Sequence, residues 1–301
     1  LIGTCSWTDP TLLATDFYPA EANTAEKRLQ YYARHFPLVE IDSTYYTIHP
    51  EQMAKLWVER TPTGFTFNIK AFSLFTQHPT KLKSLPKELR SSIPPTKNNL
   101  YYHDLSIETR GLLWEKFRNA LLPLDSAGKL GVVIFQLPPW LIPGNAIKEH
   151  LLECKSNVPH YKVAIEFRNN SWLNEKNKQP TLEFLRRNDF IYVCVDEPQG
   201  FSSSVPSIDE ATSNISVIRF HGRNRETWNK QGITVAERFK YLYSDDELKE
   251  WLTKLSRIAA GVKQLHVLFN NCYADFGIKN AQDMDRLIRA QPRLFPDYYL
   301  Q

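Results

Sequence analysis

Glycine is scarce in this chain of 301 residues: there are 11, and no two are separated by a single position. That spacing excludes the Gly-x-Gly-x-x-Gly turn of dinucleotide-binding folds, and no Walker-type phosphate loop is present. Only four cysteines occur, Cys5, Cys154, Cys194 and Cys272, far apart and without a Cys-x-x-Cys pair. A disulfide framework and a cysteine-rich metal site are therefore excluded, and free thiols point to a reducing compartment, with the cytoplasm as the expected one. No apolar run approaches the ~18 residues of a membrane span. The chain opens on strand-like residues without a basic and then apolar leader pattern, so no membrane association is expected. His-Glu-x-x-His, Gly-x-Ser-x-Gly and EF-hand patterns are missing too. Neither sign of charge dominates: 37 Lys and Arg stand against 33 Asp and Glu, too even a balance to demand a nucleic-acid partner.

What is present is a globular composition, 42% hydrophobic, 13% aromatic and 23% charged, with a regular alternation of local patterns. Eight β-rich segments recur: Ile2 to Trp7, Leu38 to Ser43, Phe65 to Lys70, Gly131 to Leu137, Lys162 to Arg168, Phe190 to Asp196, Ile215 to His221 and Leu265 to Asn271. Stretches of helical spacing separate them: Thr24 to Phe36, Pro50 to Arg60, Ile107 to Leu122, Asn145 to Ser156, Thr181 to Asn188, Asp245 to Ala259 and Ile278 to Ala290. The stretch after the sixth strand, Ser202 to Asn214, holds one helical turn at most. Strands alternating with helices imply a parallel sheet, and eight units imply a single α/β domain over residues 1–301, a closed (β/α)8 barrel of the TIM type; a doubly wound open sheet is the alternative. The long gap between strands three and four carries an insertion, residues 71–105. Its basic part, with Lys81, Lys83, Lys87, Arg90 and Lys97 against Glu88, reads as a lid over the C-terminal face or as a solvated excursion.

Side chains alternate faces along a strand, and the polar ones form a series: Thr4 and Ser6 on strand one, Glu40 and Asp42 on two, Lys70 on three, Gln136 on four, Glu166 and Arg168 on five. Asp196 on six, Arg219, His221 and then Arg223 on seven, and Asn270 on eight complete it. Barrel interiors are ordinarily filled by branched apolar residues, because an unpartnered buried charge costs several kcal/mol. Two readings follow. Either these groups neutralise one another in a structural ion network, or they form an active site at the C-terminal ends of the strands.

The cations, with Arg225 and Lys230 nearby, suit the phosphate or carboxylate of a small anionic substrate. Lys70 serves as base, as Schiff-base amine or as a plain ion-pair partner. Glu166 or Asp196 serves as general base or as an arginine anchor, and His221 as acid or proton shuttle. Such acid–base chemistry fits a hydrolase, lyase or isomerase. The unmatched arginines argue against glycoside hydrolysis. Glu40, Asp42, Glu166, Asp196 and His221 are hard-ligand types, so a weakly bound divalent metal stays open, while the lack of clustered histidines predicts no tightly held transition metal and no cofactor. Trp7 and Tyr45, with Tyr46, Phe72, Trp140, Trp172, Trp228 and Tyr273, follow strands and either stack a base or sugar or pack under loops and over the top layer of the barrel. With the basic insertion they leave a nucleic-acid binder or phosphodiesterase as an alternative, beside a non-catalytic barrel with a structural polar interior.

The runs IGTCSW, HFPLVEIDSTYY, TPTGFTFNIKA, IFQLPP, AIEFRNNSW, VIRFHGR and LFNNCYADFGIKNA resemble, in order and spacing, the YecE-like family, also called domain of unknown function 72. The resemblance spans nearly the whole chain and implies a TIM-type barrel. It singles out Glu40, Lys70, Gln136, Glu166, Arg168, Arg219, His221, Arg223, Asn270 and Asn271, without naming a reaction. The family usually has asparagine where this chain has Asp42, and glycine where it has Ser6, and these differences add one acid to the expected site.

Overall fold

The computed structural model describes residues 1–93, 99–296 and 298. Eight parallel strands close into a ring: β1 (Ile2–Thr4), β2 (Leu38–Ile41), β3 (Thr66–Lys70), β4 (Leu130–Gln136), β5 (Val163–Glu166), β6 (Ile191–Asp196), β7 (Ile215–Phe220) and β8 (Gln264–Phe269). Each strand pairs with its neighbour in sequence, and β8 closes on β1. This is a (β/α)8 barrel of the TIM type. Its outer layer contains α1 (Ala25–His35), α2 (Glu51–Glu59), α3 (Ile107–Ser126), α4 (Asn145–Asn157), α5 (Lys178–Arg187), α6 (Asp245–Ala260) and α7 (Phe276–Arg289).

Local chemistry sets the helix limits. The Thr24 side chain accepts the Lys27 N–H at the start of α1, and Ser244 and Glu247 form a reciprocal capping box at the start of α6, each satisfying donors that the first turn leaves free. Two helix boundaries differ from the sequence expectation by three residues or more. Helix α3 runs past Leu122 through Pro123 to Ser126, held by the burial of Leu121 and Leu124. Helix α5 begins three residues early, at Lys178, because Pro180 falls in its first turn, where no intrahelical N–H is needed. Between β6 and β7, residues 197–214 form no helix.

The insertion after β3 packs on the side of the barrel. It contains short 3-10 turns and a two-residue antiparallel pair, Thr80–Lys81 with Asn99–Leu100. Phe72, Phe75, Leu85 and Leu100 are buried. Phe75 stacks face to face on Trp114 of α3 at 3.6 Å between ring centres, and its carbonyl accepts a hydrogen bond from His150 Nε2 of α4 at 2.8 Å. Phe75 thus ties the first part of the insertion to α3 and α4. Lys97 lies outside the described residues.

At the floor of the barrel, the β3–β4 register shifts between Phe67 and Ile69. There Asn68 Oδ1 accepts the Val132 N–H and His266 Nδ1, both at 3.1 Å. Gly131 makes this possible, since a β-carbon there would lie 2.3 Å from Asn68 Oδ1.

Candidate functional site

In a parallel sheet, paired residues share a face. Pairing of Leu268 with Arg219, Arg219 with Val195, and Gln136 with Glu166 therefore puts Arg219, Glu166 and Gln136 on the inner surface of the ring. Arg219 crosses the interior. Its Nε and Nη2 donate to the two oxygens of Glu40 at 2.9 and 2.6 Å, and its Nη1 donates to Glu166 Oε2 at 2.5 Å. All three side chains are fully buried. Burial lifts the Glu40 carboxyl to about 7, against the pull of Arg219 and with Asp42 adding to the rise. Burial acts the same way on Glu166, but Arg219 and then His221 outweigh it and hold that carboxyl well below the usual range.

Above this layer, Glu166 Oε1 accepts Gln136 Nε2 at 2.5 Å, His221 Nε2 at 3.1 Å and Arg168 Nη1 at 3.3 Å. His221 Nδ1 accepts from Asn270 Nδ2 at 2.8 Å, which leaves the ring proton on Nε2, facing Glu166. Burial brings this imidazole down to about 4, so it is neutral at physiological pH. His221 thus orients Glu166 as a neutral donor.

Over these residues lies a cavity of about 390 Å³ at the C-terminal mouth, lined by Asp42, Tyr45, Lys70, His78, Gln136, Arg168, Trp228 and Asn270 among others. Three cations line it, Lys70, Arg168 and Arg238, the last donating through Nη2 to the Lys230 carbonyl. The Lys70 ammonium sits 3.5 Å from Asp42 Oδ1 and 5.0 Å from the centre of the Tyr45 ring. Arg168 stacks on Trp228 at 4.7 Å and approaches Glu166 at 3.3 Å and Glu197 at 3.6 Å. These contacts are loose beside those of Arg219. His78 completes this wall; burial, with Lys70 and Arg168 nearby, takes it down to about 3.

A family model described as "Protein of unknown function DUF72" matches residues 1–297. The chain belongs to the DUF72 family. The UPF0759 protein YunF of Bacillus subtilis (strain 168) is 32% identical over 291 residues, covering 95% of this chain and 94% of its own length. Crystal structures of DUF72 family proteins are similar as well. One from Enterococcus faecalis V583 gives a TM-score of 0.77 at 25% identity, covering 95% of this chain and 94% of that one. One from Thermotoga maritima MSB8 gives 0.74 at 27% identity, covering 96% and 98%.

Within this DUF72 barrel, several residues expected at the mouth lie elsewhere. Asp196 faces the helices: it accepts Arg223 through Nε and Nη2, the Tyr243 hydroxyl at 2.8 Å and Trp251 Nε1 at 2.7 Å. Arg223 follows it outward because Gly222, at φ 88°, turns the chain after β7 and ends the alternation. On β1 the inner positions are Gly3 and Cys5, since Gly3 pairs with Leu268; Cys5 Sγ contacts Arg219 Nη2 at 3.6 Å. Thr4 instead bonds the Tyr32 hydroxyl of α1, and Ser6 accepts the Thr8 N–H. Trp7 packs edge-on against Trp57 of α2 at 6.3 Å. Asn271 is buried and donates to the Tyr241 carbonyl and to Asn280 of α7. Arg225 donates to the Gln199 carbonyl and packs on Phe201.

Other residues escaped the sequence reading. Glu197, one position beyond β6, is the inward acid of that strand: Oε1 accepts the Val205 N–H at 2.7 Å, and burial lifts its carboxyl to about 8 against the pull of Arg168. His78 from a loop, Arg238 from the one-turn helix Val235–Arg238 and Phe239 at the end of that helix line the cavity, outside the strands, where alternation carries no signal. Glu197 was detectable by continuing the Val193, Val195 parity one step. Among the described residues, no group of three or more His, Cys, Asp and Glu side chains is placed to hold a metal ion, and no helix is long and apolar enough to cross a membrane.

Proposed function

We propose that the mouth cavity binds the phosphate or carboxylate group of a small substrate and that this DUF72 protein is an enzyme working by acid–base chemistry beside that group. One observation carries the reading: Lys70 and Arg168 both line the cavity, each with contacts no shorter than 3.3 Å to any acid. An arginine already saturated, as Arg219 is, has nothing to offer a ligand. Arg168 has donors to spare on a guanidinium held flat by Trp228, and Lys70 has three N–H groups with one loose acid nearby, so an anion between them gains charge-assisted hydrogen bonds that the protein does not already make.

Lys70 and Asp42 are the pair placed to exchange a proton with the bound molecule, as in a hydrolase, lyase or isomerase. Gln136 and Asn270 supply neutral hydrogen bonds for its orientation. Glu166 and His221 sit one layer deeper and hold Arg168 and Asn270 in place. The buried Glu40–Arg219–Glu166 layer supports the structural reading of the interior charges for that layer alone. Four unpaired thiols, three of them buried, support a reducing compartment such as the cytoplasm.

Thermal shift and calorimetry with phosphorylated sugars and small dicarboxylates test the proposal on wild type, Lys70→Met and Arg168→Gln. Wild type gains several degrees with a matching anion and each variant loses most of that gain. Absence of any anion-dependent shift in wild type, or its survival in the double variant, overturns the reading.

A further inference from the structure

The anion site continues into a run of aromatic rings. The Lys70 ammonium lies over Tyr45 at 5.0 Å. The Tyr45 ring meets Tyr46 at 5.0 Å and His78 at 5.2 Å, and His78 in turn meets Trp140 at 5.7 Å, all near-perpendicular. Tyr45, Tyr46 and His78 line the cavity. The two ends of this run point outward: Tyr46 is 59% exposed and Trp140 54% exposed. Across the cavity, Val235 is also exposed and also lines it. Single exposed apolar side chains are ordinary, but several of them around the mouth of one polar cavity mark a place where apolar surface is covered by a ligand.

We infer that the ligand joins its anionic group to a planar ring: the anion sits at Lys70 and Arg168, and the ring lies on Tyr46, the exposed end of the aromatic run that lines the cavity. This rests on the anion-binding reading above and narrows it. A sugar phosphate of the same charge, with no aromatic ring, satisfies the cations and leaves the exposed Tyr46 ring in water. A ligand with such a ring covers it, and Tyr45, between Lys70 and Tyr46, brings no charge to the path. Stacking on one aromatic side chain strengthens binding of a base by about 5- to 100-fold.

The test is calorimetry with two pairs of probes, adenosine 5′-monophosphate against ribose 5-phosphate and phenyl phosphate against glycerol phosphate, on wild type, Tyr46→Ala/Trp140→Ala and Lys70→Met. Both replaced rings are exposed, so circular dichroism of the double variant matches wild type. The expected result is tighter binding of at least one ring-bearing probe by about 5-fold or more. The double variant loses that preference and keeps its affinity for the partner without an aromatic ring, whereas Lys70→Met weakens both members of the pair. Equal binding within both pairs, or a preference that survives in Tyr46→Ala/Trp140→Ala, overturns the inference while leaving the anion site standing. Binding of none of the four by wild type removes the anion site and the inference together. A thymidine octamer that binds more tightly than either ring-bearing probe, with steep salt dependence and no loss in Lys70→Met, assigns the rings to a nucleic-acid strand and also overturns it.

Discussion

Replacing Arg219 with methionine probes the barrel interior most directly. In the native protein its guanidinium gives two hydrogen bonds to Glu40 and one to Glu166, and all three side chains are without solvent contact. Methionine fills most of the space of the arginine stem, so the loss is mainly electrostatic. Removing one partner of a buried ion pair costs about 3–5 kcal/mol. Here one substitution strands Glu40 and leaves Glu166 with Gln136, His221 and Arg168 alone, which sets the expectation at the upper end, about 5 kcal/mol at neutral pH. The deficit carries a pH signature. Burial already lifts the Glu40 carboxyl above the ordinary 4.5, and losing Arg219 removes the main charge opposing that rise, so the folded variant holds a proton that the unfolded chain releases. Its stability is fully present below that pH and falls as pH rises through the displaced value. Urea melts at pH 5 and pH 8 read this directly, with the gap to wild type widening by about 2 kcal/mol or more. Adding Glu40→Gln and Glu166→Gln to the variant removes the stranded charges and recovers half or more of the loss. An Arg219→Met protein within about 1 kcal/mol of wild type at both pH values would refute the network reasoning.

Three further outcomes are expected. Glu197 has its carboxyl raised by burial to about 8, so its contribution to stability is complete below pH 4.5 and is lost as pH rises through 8; Glu197→Gln therefore flattens the alkaline limb of the pH–stability curve, by on the order of 3 kcal/mol at pH 9. Asp196→Asn leaves one acceptor oxygen for the donors of Arg223, Tyr243 and Trp251 and lowers stability by about 2–4 kcal/mol in denaturant melts, with anion affinity at the mouth unchanged; a lost affinity with unchanged stability would return Asp196 to the site. Gly222→Ala places a β-carbon 2.6 Å from that of Tyr241 at a φ of 88° and costs about 2 kcal/mol or more, read as a fall in Tm.

The barrel was legible because periodicity survives in each strand and helix, and because eight such units have few ways to close. The site was legible in part, for a reason that lies in the side chains' partners. Polarity marks an inward-facing side chain where the helix layer offers only apolar surface, as around Phe67 and Ile69. It fails where that layer brings its own polar groups: Trp251 and Tyr243 require an acceptor and draw Asp196 outward, and the Tyr32 hydroxyl does the same for Thr4. On β1 the inner residues are small and weakly polar, Gly3 and Cys5, because the Arg219 side chain occupies the space beside them. Arg223 and Asn271 lie beyond the strand ends, where one glycine or one turn cancels the alternation.

Arg219 draws its two acids from β2 and β5 while itself standing on β7, so the charge balance of the interior is settled only when three separated sectors of the ring have met. A fragment comprising β1 to β6 holds Glu40 and Glu166 and lacks the guanidinium that answers both. Half-barrels of this chain are thus electrically incomplete: β1–β4 hold Glu40 without its arginine, β5–β8 hold Arg219 with one of its two acids, and only the closed ring balances the interior charge.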